Sequence, residues 1–195
     1  MKWVSRLLMS VGVFFLMAFG YTTWDHANAS SVTLDEARTV LETKQVEAAE
    51  QEEAYDIANF TAEKNEAFGV LTVPKLDNRS VGVVEGADAD SLRRGVGHVS
   101  STAFPGQGEQ IVLSGHRDTV FRDFGQIEVG DTFVVEMPYG TYEYEIYQRD
   151  IVDADDRTVI REMGEEVLVV TTCYPFEMYG FAPDRAVFYS RPVNK

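Results

Sequence analysis

The 195-residue chain is poor in cysteine, with Cys173 alone. A single cysteine excludes an intramolecular disulfide framework and any cysteine-rich zinc or iron–sulfur site. Positive charge is also scarce: 17 Lys and Arg stand against 32 Asp and Glu, for a formal net charge of −15. Phosphate binding depends on clustered Lys and Arg, and none cluster here, which argues against a nucleic-acid partner. No Gly-Lys-Ser/Thr phosphate loop occurs, and Gly95-Val96-Gly97-His98 does not continue as a dinucleotide fingerprint. Glycine and proline are missing altogether between Gly20 and Gly69. What remains is room for one medium domain stabilised by its core, plus an unpaired thiol that needs explaining.

The amino terminus bears on the compartment. Lys2 and Arg6 precede a run from Leu7 to Trp24 that carries no charge and is densely apolar as far as Phe19. As a helix it rises about 27 Å, close to the hydrocarbon thickness of a bilayer. The positive-inside rule then leaves residues 1–6 in the cytoplasm and exports the chain beyond the apolar run. Ala27-Asn28-Ala29 also has the small-x-small form of a signal-peptidase site, so cleavage after Ala29 and secretion is the competing reading. Either way the carboxyl-terminal bulk is exported, into a setting where cysteines tend to oxidise or pair, so an odd one is incidental and buried, intermolecular, or put to chemical use.

Residues 25–68 read as an acidic stalk, helical at first. Thr33-Leu34-Asp35-Glu36 has capping-box form, and ten acids against three bases lie between Asp35 and Glu66. Residues 69–195 change texture, with short Val-, Tyr-, Phe- and Thr-rich runs broken by Gly, Pro, Asp and Asn. That pattern predicts an all-β sandwich or barrel. Strands are expected at 69–73, 81–84, 110–114, 132–136, 142–149, 167–172 and 186–190, with a short helix at 88–94.

His116 follows the apolar run Ile111-Val112-Leu113-Ser114-Gly115, and Cys173 ends the buried-strand pattern Val167–Thr172 before Tyr174-Pro175. Strand ends are where rigid scaffolds present functional groups. A thiol beside an imidazole is an efficient nucleophile, and a guanidinium such as that of Arg185 can stabilise a tetrahedral oxyanion. Taken singly, each has a plainer reading: a buried apolar thiol, a structural histidine, a surface ion pair with Asp184. His98, after a glycine-rich turn, fits a structural hydrogen-bonding role better than a catalytic one, and His26 lies beside the apolar segment with no evident role. Asp153-Ala154-Asp155-Asp156 lacks the glycine and the terminal glutamate of a calcium loop and reads as a solvated turn.

Together the pieces resemble the sortases, membrane-anchored cysteine transpeptidases of Gram-positive bacteria. The resemblance runs from about Gly69 to Ser190 through Leu71–Pro74, Gly95–His98, Phe104-Pro105-Gly106, Leu113–Thr119, Gly130-Asp131, Thr171–Phe176 and Arg185. Leu-Ser-Gly-His-Arg-Asp-Thr and Thr-Thr-Cys-Tyr-Pro-Phe look most like the class D branch of spore-forming bacilli. The resemblance implies an eight-stranded sortase-type β-barrel with short helices, behind a membrane helix at 7–24 and the stalk. It implies His116 as acid/base, Cys173 as nucleophile, Arg185 as transition-state stabiliser and Thr172 as an aid to positioning substrate. The implied partners are proteins bearing a carboxyl-terminal Leu-Pro-x-Thr-type sorting signal and an amine of a cell-wall precursor or pilin. No cofactor is implied. Some relatives bind calcium, but no ligand set for it is identifiable here. Val167-Leu168-Val169-Val170 departs from the Thr-Leu-Thr-Leu frequent in relatives. Two readings without transpeptidation compete: an exported β-barrel binding module with a buried cysteine, and a simple secreted cysteine endopeptidase.

Overall fold

Apolar residues at alternate positions build eight strands in the computed structural model, which describes residues 2–51, 55–177 and 180–193. They are β1 (Ala67–Val73), β2 (Arg79–Glu85), β3 (Val96–His98), β4 (Gln110–Gly115), β5 (Thr132–Met137), β6 (Gly140–Asp153), β7 (Val167–Tyr174) and β8 (Asp184–Pro192). They close into a barrel in the order β1-β2-β3-β4-β7-β8-β6-β5. Closure leaves no free strand edge. Two pairings are parallel, β2 with β3 and β4 with β7; the others are antiparallel. A parallel pair needs a crossover, and α2 (Ala89–Arg94) lies in the one between β2 and β3. Asp88 caps that helix, its carboxylate accepting from the backbone N–H groups of Asp90 and Ser91 at 3.0 and 3.1 Å.

Seven of the strands match the expected runs within a few residues. β3 does not come from those runs, because three residues, one of them Gly97, carry too little periodicity to read. β6 runs to Asp153, well past the expected end, because β8 pairs with it from Asp153 back to Tyr144.

Alternation splits the side chains of the central strands between two cores. Ile111 and Leu113 of β4, Leu168 and Val170 of β7, and Ala186 and Phe188 of β8 point into the barrel, where they meet Phe121, Phe124 and Phe133. Val112, Val167, Val169, Val187 and Tyr189 point outward and are covered by Val159 and Met163 of the connection between β6 and β7. The valines that replace the threonines of relatives are thus buried on this covered outer face. Backbone N–H groups of Met163 and Gly164 donate to the Glu109 carboxylate at 2.6 and 3.1 Å, which pins that connection down. These bonds, Met163 foremost, hold the Glu109 carboxyl below its ordinary pKa.

Ahead of the barrel, α1 (Lys2–Gln51) is one continuous helix. Its apolar side chains from Leu7 to Tyr21 are largely exposed, including Leu7, Phe14 and Phe19. Farther along, Ala37 and Leu41 are buried against Ala67, Val70 and Val84 of β1 and β2, Thr33 is buried over Gly82 of β2, and Glu36 pairs with Arg94 of α2. The expected stalk region therefore includes a segment seated on the barrel wall. Among the described residues no helix is long and apolar enough to cross a membrane. The side chain of His26 lies outside the described residues.

Candidate active site

Register brings three of the expected residues to one end of the barrel. In the parallel β4/β7 pair Gly115 is the partner of Thr172, so His116 and Cys173 are the next residue on each chain. In the antiparallel β7/β8 pair Cys173 is the partner of Arg185. Alternation also fixes the face. Cys173 continues the outward row Val167, Val169, Thr171, and Arg185 continues Tyr189 and Val187. His116 is the first residue past β4, whose outward row is Val112 and Ser114. All three are partly exposed, unlike the buried valines behind them on the same face. The outer face thus forms an apolar floor that opens, at its end, onto a thiol, an imidazole and a guanidinium. Ser114 and Thr171 are register partners on that floor and also partly exposed. Neither stands out in the sequence, since only the parallel pairing of two distant strands brings them side by side.

Thr172 has the opposite orientation. It is 2% exposed, and its hydroxyl donates to the Gly115 carbonyl at 2.7 Å. This bond ties the two strands together one residue before His116 and Cys173. The Arg185 guanidinium donates to the carbonyls of Asp184 and Ala182, at 2.9 and 3.2 Å. Among the described residues it makes no ion pair with Asp184 or any other acid.

The turn after Gly115 is closely fitted. The His116 carbonyl accepts from the backbone N–H groups of Phe121 and Thr119, while Val120 and Phe121 are buried. A Cβ on Gly115 would lie 2.6 Å from the Phe121 ring, so glycine is required where the turn folds back on the strand. Beyond it, a cleft of about 750 Å³ is lined by Arg117, Asp118, Arg122, Arg149, Phe176 and Glu177 among others. It flanks the thiol end without including Cys173, His116 or Arg185 in its walls.

The other expected features lie elsewhere. His98 is fully buried in β3, with Nδ1 2.6 Å from the Glu85 carboxylate and Nε2 3.0 Å from the Ala103 carbonyl. Its ring stacks on Phe104 at 4.3 Å. Burial pushes the Glu85 carboxyl up, but hydrogen bonds from His98 and Ser100, with the His98 charge, outweigh it and leave its pKa below the ordinary value. In the 153–156 run, Asp153 and Asp156 cap their own turns by accepting from the N–H groups of Asp155 and Thr158. Among the described residues no three His, Cys, Asp or Glu side chains gather as a metal site requires.

Similarity to known proteins agrees with this architecture. The family model described as a sortase domain matches residues 71–193. Sortase D of Bacillus subtilis (strain 168) is 38% identical over 197 residues, covering 99% of both chains. The catalytic domain of SrtD from B. anthracis is 41% identical, covers 73% of this chain and 97% of its own, and superposes with a TM-score of 0.59. The Clostridium perfringens Sortase D5 transpeptidase shares the fold at 20% identity, covering 86% of this chain and 99% of its own with a TM-score of 0.69. The chain belongs to the sortase family and resembles its class D members.

Proposed function

We propose that the protein is a membrane-anchored transpeptidase in which Cys173, His116 and Arg185 carry the reaction. The supporting observation is the register: Cys173 and Arg185 are cross-strand partners, and His116 follows Gly115, the β4 residue paired with Thr172. In the reaction, the Cys173 thiolate attacks the threonyl carbonyl of a Leu-Pro-x-Thr-type sorting signal. The carbonyl π-electrons move to oxygen, and the Arg185 guanidinium stabilises that oxyanion. Collapse breaks the peptide bond, His116 protonates the departing amine, and a thioester remains on Cys173. An amine of a cell-wall precursor or pilin subunit then gives a proton to His116 and attacks the thioester. An amide forms and the thiolate is released. Thr172 serves this site from behind, by holding Gly115. The scheme uses no metal or other cofactor.

Anchoring fits the same reading. The uncharged run 7–24 follows Lys2 and Arg6, and its described apolar side chains are exposed along a continuous helix. A single span with the amino terminus inside leaves the barrel outside the cell. Cleavage after Ala29 would release it instead.

The test is incubation with a fluorogenic Leu-Pro-x-Thr-Gly/Ala peptide library, comparing wild type with Cys173→Ala, with and without an amine acceptor. Cleavage that depends on Cys173, and a ligated product when the amine is present, are expected. Absence of any Cys173-dependent cleavage would sink the proposal, and cleavage without ligation would make the protein an endopeptidase. Mass spectrometry of the membrane fraction decides between anchor and cleaved leader.

A further inference from the structure

Arg117 follows His116 directly and has no part in the reaction just described. It is 8% exposed, yet among the described residues no carboxylate lies within ion-pair distance of its guanidinium. Its donors go to the backbone instead: Nη1 to the Pro175 carbonyl at 2.6 Å and Nη2 to the Gly180 carbonyl at 2.8 Å. Both carbonyls belong to the connection that leaves Cys173 and returns at Asp184. A buried cation without a counter-ion is expensive to keep, so its placement calls for a compensating task.

The geometry around the two reacting residues supplies one. Ladder pairing of β4 with β7 ends at Gly115 and Thr172. Past that point the turn carrying His116 and the connection following Cys173 share no backbone hydrogen bond among the described residues. Among the described residues the Arg117 guanidinium is the hydrogen-bonded link between them. On the barrel side, Thr172 Oγ1 donates to the Gly115 carbonyl. His116 is therefore bracketed by ties at Gly115 and Arg117, and Cys173 by ties at Thr172 and Pro175.

We propose that Arg117 is a positioning residue that fixes the separation and orientation of His116 and Cys173 by bridging their two loops. It works through the Pro175 and Gly180 carbonyls and touches neither the scissile carbonyl nor the leaving amine. The proposal rests on the reading that His116 and Cys173 act together. Lysine is a poor substitute at such a site, because one ammonium lacks the planar fork that reaches two carbonyls at once.

The test uses the full chain as Arg117→Ala and Arg117→Lys beside wild type, Cys173→Ala and His116→Ala. Three readouts are needed: kcat and KM for a cleaved peptide, the pH–rate profile of Cys173 alkylation by iodoacetamide, and the thermal midpoint. Misplacement of a reacting pair by about 1 Å is worth on the order of a hundredfold in rate. Arg117→Ala should therefore lower kcat by at least about tenfold with KM within about threefold, and Arg117→Lys should recover part of the loss. The alkylation profile of Arg117→Ala should move toward that of His116→Ala. An unchanged kcat and profile overturn the proposal, as does a rise in KM alone, which would make Arg117 a substrate contact. If Arg117→Ala does not fold, Arg117→Lys decides: wild-type kcat and profile in that variant overturn the idea. Wild type without Cys173-dependent cleavage defeats the transpeptidase reading instead, and the alkylation profiles still judge Arg117.

Discussion

Cys173 of β7 and Arg185 of β8 are cross-strand partners, so thiol and guanidinium leave the sheet on the same face. The guanidinium is held by the carbonyls of Asp184 and Ala182 and is not neutralised by an acid among the described residues. It can therefore meet developing negative charge without first breaking an ion pair. Losing one oxyanion donor elsewhere costs about 10²–10³ in kcat. Arg185→Ala should fall in that range in steady-state peptide cleavage, with Arg185→Lys between it and wild type. A kcat within about threefold of wild type would remove Arg185 from the transition state.

Thr172 Oγ1 and the Gly115 carbonyl make a buried bond between the strands that lead to Cys173 and His116. Thr172→Val keeps the shape and removes the donor. Leaving a buried carbonyl short of a partner costs about 1–3 kcal/mol. Urea unfolding should show that loss for Thr172→Val and little loss for Thr172→Ser. Equal midpoints for Thr172→Val and wild type would show that the tie contributes nothing.

Whether a feature is legible in the sequence depends on the distance over which it acts. His116, Cys173 and the long strands are legible because each sits in a local pattern: an apolar run, then a polar residue, then a turn. β3 is not, since Val96–His98 is only three residues long. Neither is the parallel pairing of β4 with β7, which joins residues more than fifty positions apart and decides that Ser114 and Thr171 share a face with the thiol. Arg117 and Arg185 carry the same charge a few residues from strand ends. What separates their surroundings is register and hydrogen bonding, which composition does not encode. The seating of α1 is half legible: Leu34, Ala37 and Leu41 lie on one apolar stripe, but the stripe does not tell that β1 and β2 cover it.

The Gly115 position should be intolerant of any side chain. A methyl there would lie 2.6 Å from Phe121 and 2.7 Å from Val120, both buried in the turn that carries His116. Overpacking of this kind costs about 1–3 kcal/mol. Gly115→Ala should lose that much in urea unfolding, and adding Phe121→Leu should recover part of it. A double variant no better than the single one would place the strain elsewhere.

Glu85, hydrogen-bonded to His98, gives the barrel a pH dependence of definite sign. The Glu85 carboxyl titrates below its ordinary value of 4.5 in the folded chain, so its contribution to stability is present above that value. As pH falls below 4.5 toward the folded-state pKa, the carboxylate is protonated and the contribution is lost. Glu85→Gln cannot titrate. The stability gap between wild type and Glu85→Gln should be widest near neutral pH and narrow below about pH 4.5 in urea titrations. A gap that stayed constant down to about pH 3 would assign the effect to packing around His98 instead.

The seating of α1 depends on Gly82 of β2. A Cβ there would lie 2.8 Å from the Thr33 carbonyl carbon and oxygen and 2.9 Å from the Leu34 nitrogen, all backbone atoms that cannot rotate away. The helix must therefore lift if Gly82 is replaced, carrying Ala37 and Leu41 off β1 and β2. The barrel core on the other side of the sheet does not involve Thr33, so it should survive. Gly82→Ala should accordingly speed amide exchange across residues 33–41 while exchange in β4 and β7 stays slow. Leu41→Ala should act in the same direction without a clash, at a cost of about 2–5 kcal/mol if the site cannot collapse. Slow exchange in residues 33–41 of Gly82→Ala would mean that β2 yields and the helix stays. Peptide cleavage by the same variant then reports whether the Cys173 end of the barrel senses the helix at all. With Cys173, His116 and Arg185 fixed by β4, β7 and β8, its kcat for a free peptide should remain within about twofold of wild type.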